Sequence, residues 1–234
     1  MILRHLTKHV KDQNWFAVGL DFVIVVTGVF VGLQVGNWNA AAQNRAKEAV
    51  VLEQLAVEFS SAVDLAKEAR ANSDMRLDAT RDVLRVIREG TEPEDKAAFL
   101  KTLGYAGSLD SGPSEPVTLV ELVSAGGLSD LSSPELRTAL IRYHETAVQQ
   151  AELASLILSR VSSPHDGFHD AIYVNPDYPA SSDILLDRYD WELIPATRQQ
   201  FQVILYGKLG LSYGIEEQIV RGEAVLAEIE KARK

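Results

Sequence analysis

The sequence predicts an all-α protein: an N-terminal amphipathic and transmembrane helix followed by an elongated antiparallel helical bundle. Three observations predict it. An apolar run lies between Trp15 and Trp38. Long stretches free of Gly and Pro carry apolar residues at three- and four-residue spacing. No segment outside the apolar run alternates polar and apolar residues in the manner of a strand. The 234 residues suit one domain with an appendage. At 46% hydrophobic and 24% charged, the chain is neither disordered throughout nor a multi-pass membrane protein. Its 23 Lys and Arg against 33 Asp and Glu give a formal charge of -10, so no nucleic-acid partner is expected. Zero cysteines exclude a disulfide framework, thiolate metal sites and a Cys nucleophile.

Residues 1–14 place Ile2, Leu3, Leu6 and Val10 on one helical face and Arg4, Lys8 and Lys11 on others, which suits a helix lying in a membrane interface. Residues 15–38 form the predicted transmembrane helix. From Phe16 to Val35 only Asp21, Thr27 and Gln34 are distinctly polar, and no Lys or Arg intervenes. Such a run spans about 30 Å as a helix, the thickness of a bilayer's hydrocarbon core. Trp15 and Trp38 bracket it as membrane-interface anchors. The competing reading is a cleaved signal peptide ending near Ala40-Ala41-Ala42, but the apolar run exceeds the roughly 7–15 residues of a signal core. The basic residues ahead of the span favour a cytoplasmic N-terminus and a C-terminal body, residues 39–234, in the periplasm of a bacterial cell.

Two features of the span could carry function. Gly28, Gly32 and Gly36 repeat every four residues and form a candidate helix–helix interface, joining either copies of the chain or another membrane protein. Asp21 and Gln34 are intramembrane polar residues. Because a charge at the bilayer centre costs about 2.5–3.5 kcal/mol, Asp21 is expected near the headgroups, protonated, hydrated or paired.

Between Gly36 and Gly90 the chain has neither Gly nor Pro, which predicts one long helix or two abutting ones. Leu52, Leu55, Phe59, Ala62, Ala66 and Ala69 mark its seam. Leu77, Thr80, Leu84 and Ile87 resume that seam after a stutter near Asn72-Ser73-Asp74, where a slight unwinding or a break is expected. Thr91 with Glu94 has capping-box spacing and predicts a short helix over 92–103, ended by Gly104; Thr118 with Glu121 predicts another, ended by Gly126-Gly127. Ser133 as N-cap and Pro134 open a long helix whose seam reads Leu136, Leu140, Tyr143, Ala147, Ala151, Ala154, Leu158 and Val161. Residues 164–190 read as a long irregular excursion. The last helix is predicted from about Pro195 to Ala232, with Ile215, Ile219, Gly222, Leu226 and Ile229 on one face. Gly207, Gly210 and Gly214 point to a kink or a close crossing in its first half.

Chemistry-bearing patterns are sparse. His165 and His169 stand four apart and are weak candidates for metal ligation, yet Pro164 and Gly167 spoil a regular helix and the zinc-protease glutamate is missing. His144 and Glu145 beside Tyr143 read as an amphipathic boundary with polar tips in water. No phosphate-cradling glycine loop and no nucleophile elbow occurs.

The block Gln13-Asn14-Trp15, Leu20 to Val26, Gly28 to Val35 and Asn37-Trp38-Asn39 resembles the opening of a bacterial family of unknown function with one N-terminal membrane helix and a helical body. A second stretch, from Thr118 through Gly126-Gly127-Leu128 and Glu135-Leu136-Arg137 to Tyr143, is similar to that family's second block, with Gly127 where many relatives carry Lys. The resemblance implies the anchor and the all-α body and nothing catalytic. The expectation is therefore a single-pass membrane-anchored accessory, scaffold or assembly subunit acting through helix–helix contacts. It is expected to be no enzyme and to need no cofactor, its partners being the lipid bilayer and a second copy or another membrane protein. A membrane-anchored sensory or ligand-binding module is the alternative, and a metal-dependent enzyme centred on His165 and His169 the third reading.

Overall fold

The structure is a computed structural model that describes residues 15–109, 112–161, 168–174, 176 and 186–234, with the helical backbone alone for residues 15–18, 21, 160 and 161. The predicted interfacial helix over residues 1–14 lies outside the described residues. In chain order the elements are α1 (Trp15–Glu89), α2 (Lys96–Gly107), α3 (Val117–Ala125), a 3-10 turn (Gly127–Asp130), α4 (Pro134–Val161), α5 (Phe168–Ala171), β1 (Ile172–Val174), β2 (Leu186–Tyr189), a second 3-10 turn (Ile194–Thr197) and α6 (Arg198–Ala232). The all-α class holds. The chain forms two units, residues 1–50 and 51–234, divided within α1.

Every described residue of the first unit is helical. The second unit has a core in three parts. One apolar cluster joins Leu52, Leu55 and Phe59 of α1 to Leu119 of α3, Leu136, Leu140 and Tyr143 of α4, and Val225 and Ile229 of α6. A second gathers Val83 and Ile87 of α1 with Phe99 and Leu103 of α2, Ile172 of β1, Ile194, and Phe201 and Ile204 of α6. A smaller cluster of Ala66, Ile215 and Ile219 is the third part.

The α1 seam is buried as predicted from Leu52 to Ala66 and again at Leu77, Thr80 and Ile87. The stutter does not break the helix. Ser73, 4% exposed, takes the seam position there, and Arg70 closes on Asp74 one turn along, so packing overrides the weak local propensity. In α4 the predicted seam fails after Ala147: Leu158 is 58% exposed while Ile157 is buried. The cause lies in α6. A Cβ on Gly207 would stand 2.7 Å from Ile157 Cγ2, one on Gly210 would stand 3.2 Å from Leu153 Cδ2, and one on Gly214 would overlap the Gln150 amide. The three glycines are bays that receive Ile157, Leu153 and Gln150, so the close crossing forms and the α4 seam turns toward them. With Gly222 against Tyr143, this order makes α4 and α6 antiparallel.

Three further expectations are corrected. The first short helix starts at Lys96, capped by Asp95 accepting from the Ala98 N–H at 2.9 Å, because Asp is the better N-cap and Pro93 sits before it; Gly104 lies inside the helix. The helix at Val117 has Pro116 rather than Thr118 at its N-cap, and Gly126, in the left-handed conformation at φ 72°, ends it. The excursion over 164–190 contains α5 and an antiparallel β1–β2 ribbon pairing Ile172 with Tyr189 and Tyr173 with Arg188. These strands are too short to alternate visibly. They are held because Ile172, Leu186 and Tyr189 pack on the cluster around Phe99 and Phe201.

Candidate functional site

In the first unit, α1 is the one helix among the described residues long and apolar enough to cross a membrane. An 18-residue window of it has a mean hydropathy of 1.4 and none of that window is buried. Phe22, Ile24, Val25, Phe30 and Leu33 are each at least 60% exposed. In water this would be a large uncompensated apolar surface, since fully burying such a side chain stabilises by about 1.5–3 kcal/mol. Trp38 at its end is 70% exposed. A Cβ added to Gly28, Gly32 or Gly36 would meet nothing within 4 Å, so the glycine face is open along its whole length. Gln34 is half-buried. Trp15 and Asp21 fall within α1, but their side chains lie outside the described residues.

In the second unit the polar groups gather at two places that join distant segments. At the first, Glu58 of α1 accepts from the Thr118 backbone N–H at 2.9 Å and the Thr118 hydroxyl at 2.7 Å. The carboxylate thus caps the N-terminal end of α3, where the helix dipole favours negative charge. On the same side Glu115 lies 2.8 Å from His144 Nδ1, tying the loop before α3 to α4. Tyr143, 1% exposed, packs edge-on against Phe59 at 4.8 Å. Burial, reinforced by the nearby Glu115 charge, pushes its phenol up to about 12. His144 therefore does not simply reach water as the sequence suggested; it has a carboxylate partner 29 residues away.

The second place is built on Lys208 of α6, which is 3% exposed. Its ammonium donates to the carbonyls of Arg76 at 3.0 Å, Tyr105 at 2.9 Å and Ala106 at 2.9 Å, and to the Thr80 hydroxyl at 2.9 Å. Tyr105 and Ala106 lie in the last turn of α2, whose carbonyls have no intrahelical donor, so a cation there both satisfies them and meets the negative end of the helix dipole. Lys208 thereby pins α2 between α1 and α6. The signal for it was in the sequence: seven residues before Ile215, on the buried face, stands a lysine. Glu58 and Glu115 gave no such signal, because their partners are 60 and 29 residues away.

An outer groove of about 580 Å3 runs between the first half of α4 and the second half of α6. Its floor is Ala139, Val220 and Ala224, and Arg142, Glu217 and Arg221 reach into it. Arg221 donates to Glu217 at 3.0 Å. Of the weak metal candidates, His165 lies outside the described residues, and His169 in α5 is exposed with its ring 6.0 Å from that of Phe168. Among the described residues no group of three His, Cys, Asp or Glu side chains is arranged to hold a metal ion. Comparison with protein-family models, with curated proteins and with solved structures finds no match to the chain.

Proposed function

We propose that the protein is a single-pass membrane-anchored accessory, scaffold or assembly subunit that works by helix–helix contact. The observation that carries this reading is the wholly exposed apolar stretch of α1, which needs a lipid environment, in a chain whose residues 51–234 possess a core of their own. The open glycine face of Gly28, Gly32 and Gly36 supports self-association or pairing with another membrane helix, since small residues let backbones approach where lipid supplies no hydrophobic drive. The polar constellations serve the packing of helices on one another: Glu58 holds the α3 N-terminus, Glu115 ties the loop before α3 to α4, and Lys208 holds the end of α2. The resemblance to a bacterial family with one membrane helix fits an inner-membrane protein with its N-terminus in the cytoplasm and its body in the periplasm.

Mass measurement of the full chain in detergent tests the self-association. An oligomer that becomes a monomer when Gly28, Gly32 and Gly36 are replaced by Leu is the expected result. A monomer whose state ignores those replacements refutes it. A reporter fused at Lys234 reads the topology, and a cytoplasmic signal reverses the orientation.

A further inference from the structure

The outer side of α6 carries an apolar row that none of the described residues covers. Tyr206, Tyr213, Val220 and Ala227 recur every seven residues; Tyr206 is 76% exposed, Tyr213 69% and Val220 54%. Leu209 of α6 and Leu156 of α4, 41% and 65% exposed, extend the row across the α4–α6 crossing. The opposite face of α6 is already occupied by Ile204, Leu211, Ile215 and Ile229 in the core, so this helix has two apolar faces and only one is used internally. A seven-residue repeat on a helix that already packs elsewhere is the pattern of a seam awaiting another helix. The row is about 30 Å long at 1.5 Å per residue, which matches a partner helix of about 20 residues.

The charges along the row identify that helix. On α6 Glu216, Glu223 and Glu230, also seven apart and exposed, follow one side of it; on α4 the exposed Glu145 and Glu152 follow the other. The neighbouring cations are already engaged: Arg221 by Glu217 at 3.0 Å, Lys231 by Glu228 at 2.7 Å, Lys67 by Glu223 at 2.7 Å and Arg70 by Glu216 at 3.5 Å. Glu230, Glu145 and Glu152 keep no cation among the described residues, so the face is acidic on balance. Arg142 lines the groove together with Glu135, Glu217 and Glu228. A second copy laid antiparallel with the two rows in register, α6 against α6, would bring Glu216 against its own counterpart, a repulsion that flanking charges use to select against pairing.

We propose that the outer face of α4 and α6 docks an amphipathic helix of a partner protein whose apolar row is flanked on both sides by Lys or Arg. This rests on the contact reading above and names its surface and the chemistry of its partner. It is separable from the glycine-face association, which is read by the mass of the chain and not by peptide binding.

The test uses the full chain in nonionic detergent and two synthetic helical peptides of three heptads, both with Leu in the apolar row, one flanked by Lys and one by Glu. Binding is followed by titration calorimetry at constant micelle concentration, with wild-type protein, the double variant Tyr206→Ser/Tyr213→Ser and, independently, Val220→Lys. The Lys peptide is expected to bind saturably at one per chain, the Glu peptide to bind at least about tenfold more weakly, and each protein variant to lose about tenfold or more in affinity. Circular dichroism confirms that these surface variants fold. No saturable binding of the Lys peptide, equal binding of both peptides, or binding indifferent to both variants would overturn the proposal. So would a change in the chain's own oligomeric mass in the tyrosine variant, which would make a second copy the occupant.

Discussion

Replacing Lys208 by Met removes the ammonium and keeps most of the side chain's volume. Four oxygens then lose a donor: the Arg76, Tyr105 and Ala106 carbonyls and the Thr80 hydroxyl. The Thr80 hydroxyl keeps its own bond to the Arg76 carbonyl at 2.9 Å and the Ser108 hydroxyl keeps its bond to the Tyr105 carbonyl at 3.0 Å, so the loss falls mainly on the Ala106 carbonyl at the end of α2. A hydrogen bond from a charged donor contributes about 1.5–3 kcal/mol net of its lost hydration, and because the Arg76 and Tyr105 carbonyls keep other donors the loss in the variant is expected to be about 3 kcal/mol. That is a large fraction of the total stability of an ordinary domain. Urea unfolding of the full chain in nonionic detergent, followed by far-ultraviolet circular dichroism, measures it. A loss below about 1 kcal/mol would refute the view that Lys208 holds α2 to α1 and α6.

The same unfolding assay reads two further sites. Glu58→Ala leaves the α3 N-terminus and the Thr118 hydroxyl without their acceptor and is expected to cost about 1–2 kcal/mol, the size of a lost helix cap; an unchanged midpoint would show that water replaces the carboxylate. Tyr143 should govern part of the alkaline limb. Its phenol, pushed up to about 12 by burial and then by Glu115, stays protonated in the fold above the pH at which the unfolded chain ionises near 10.0. Its contribution is therefore complete below pH 10.0 and disappears as the pH rises through about 12, a loss on the order of 2–3 kcal/mol. Tyr143→Phe should flatten this component of the limb; a limb of unchanged steepness would contradict it.

Much of this fold is legible because helices write their packing locally. The α1 seam from Leu52 to Ile87, the Ser133-Pro134 start of α4 and the glycine crossing of α6 all follow from spacing within one element. What the sequence hid depends on partners far along the chain. The α4 seam was misplaced after Ala147 because its course answers to glycines in α6 and not to its own period. Spacing within the segment points to a capping box of Thr118 with Glu121, yet the carboxylate that serves the start of α3, Glu58, comes from another helix. The β1–β2 ribbon is too short for alternation to be read, and tertiary packing under Phe99 and Phe201 decides it. Of the candidate site, the apolar run, Trp38 and the glycine row were legible, because a membrane-length segment declares itself by composition alone. The exposed row of Tyr206, Tyr213 and Val220 was not recognised, since only the structure distinguishes a face that is covered from one that is open.

Anchoring of the chain in a lipid bilayer by the apolar stretch of α1 is read by alkaline carbonate extraction of membranes containing the full chain, together with the intact mass of the recovered protein. The chain is expected to stay with the membranes until detergent is added, with a mass that includes residues 15–38. Recovery in the carbonate supernatant, or a mature chain beginning near Gln43, would contradict it.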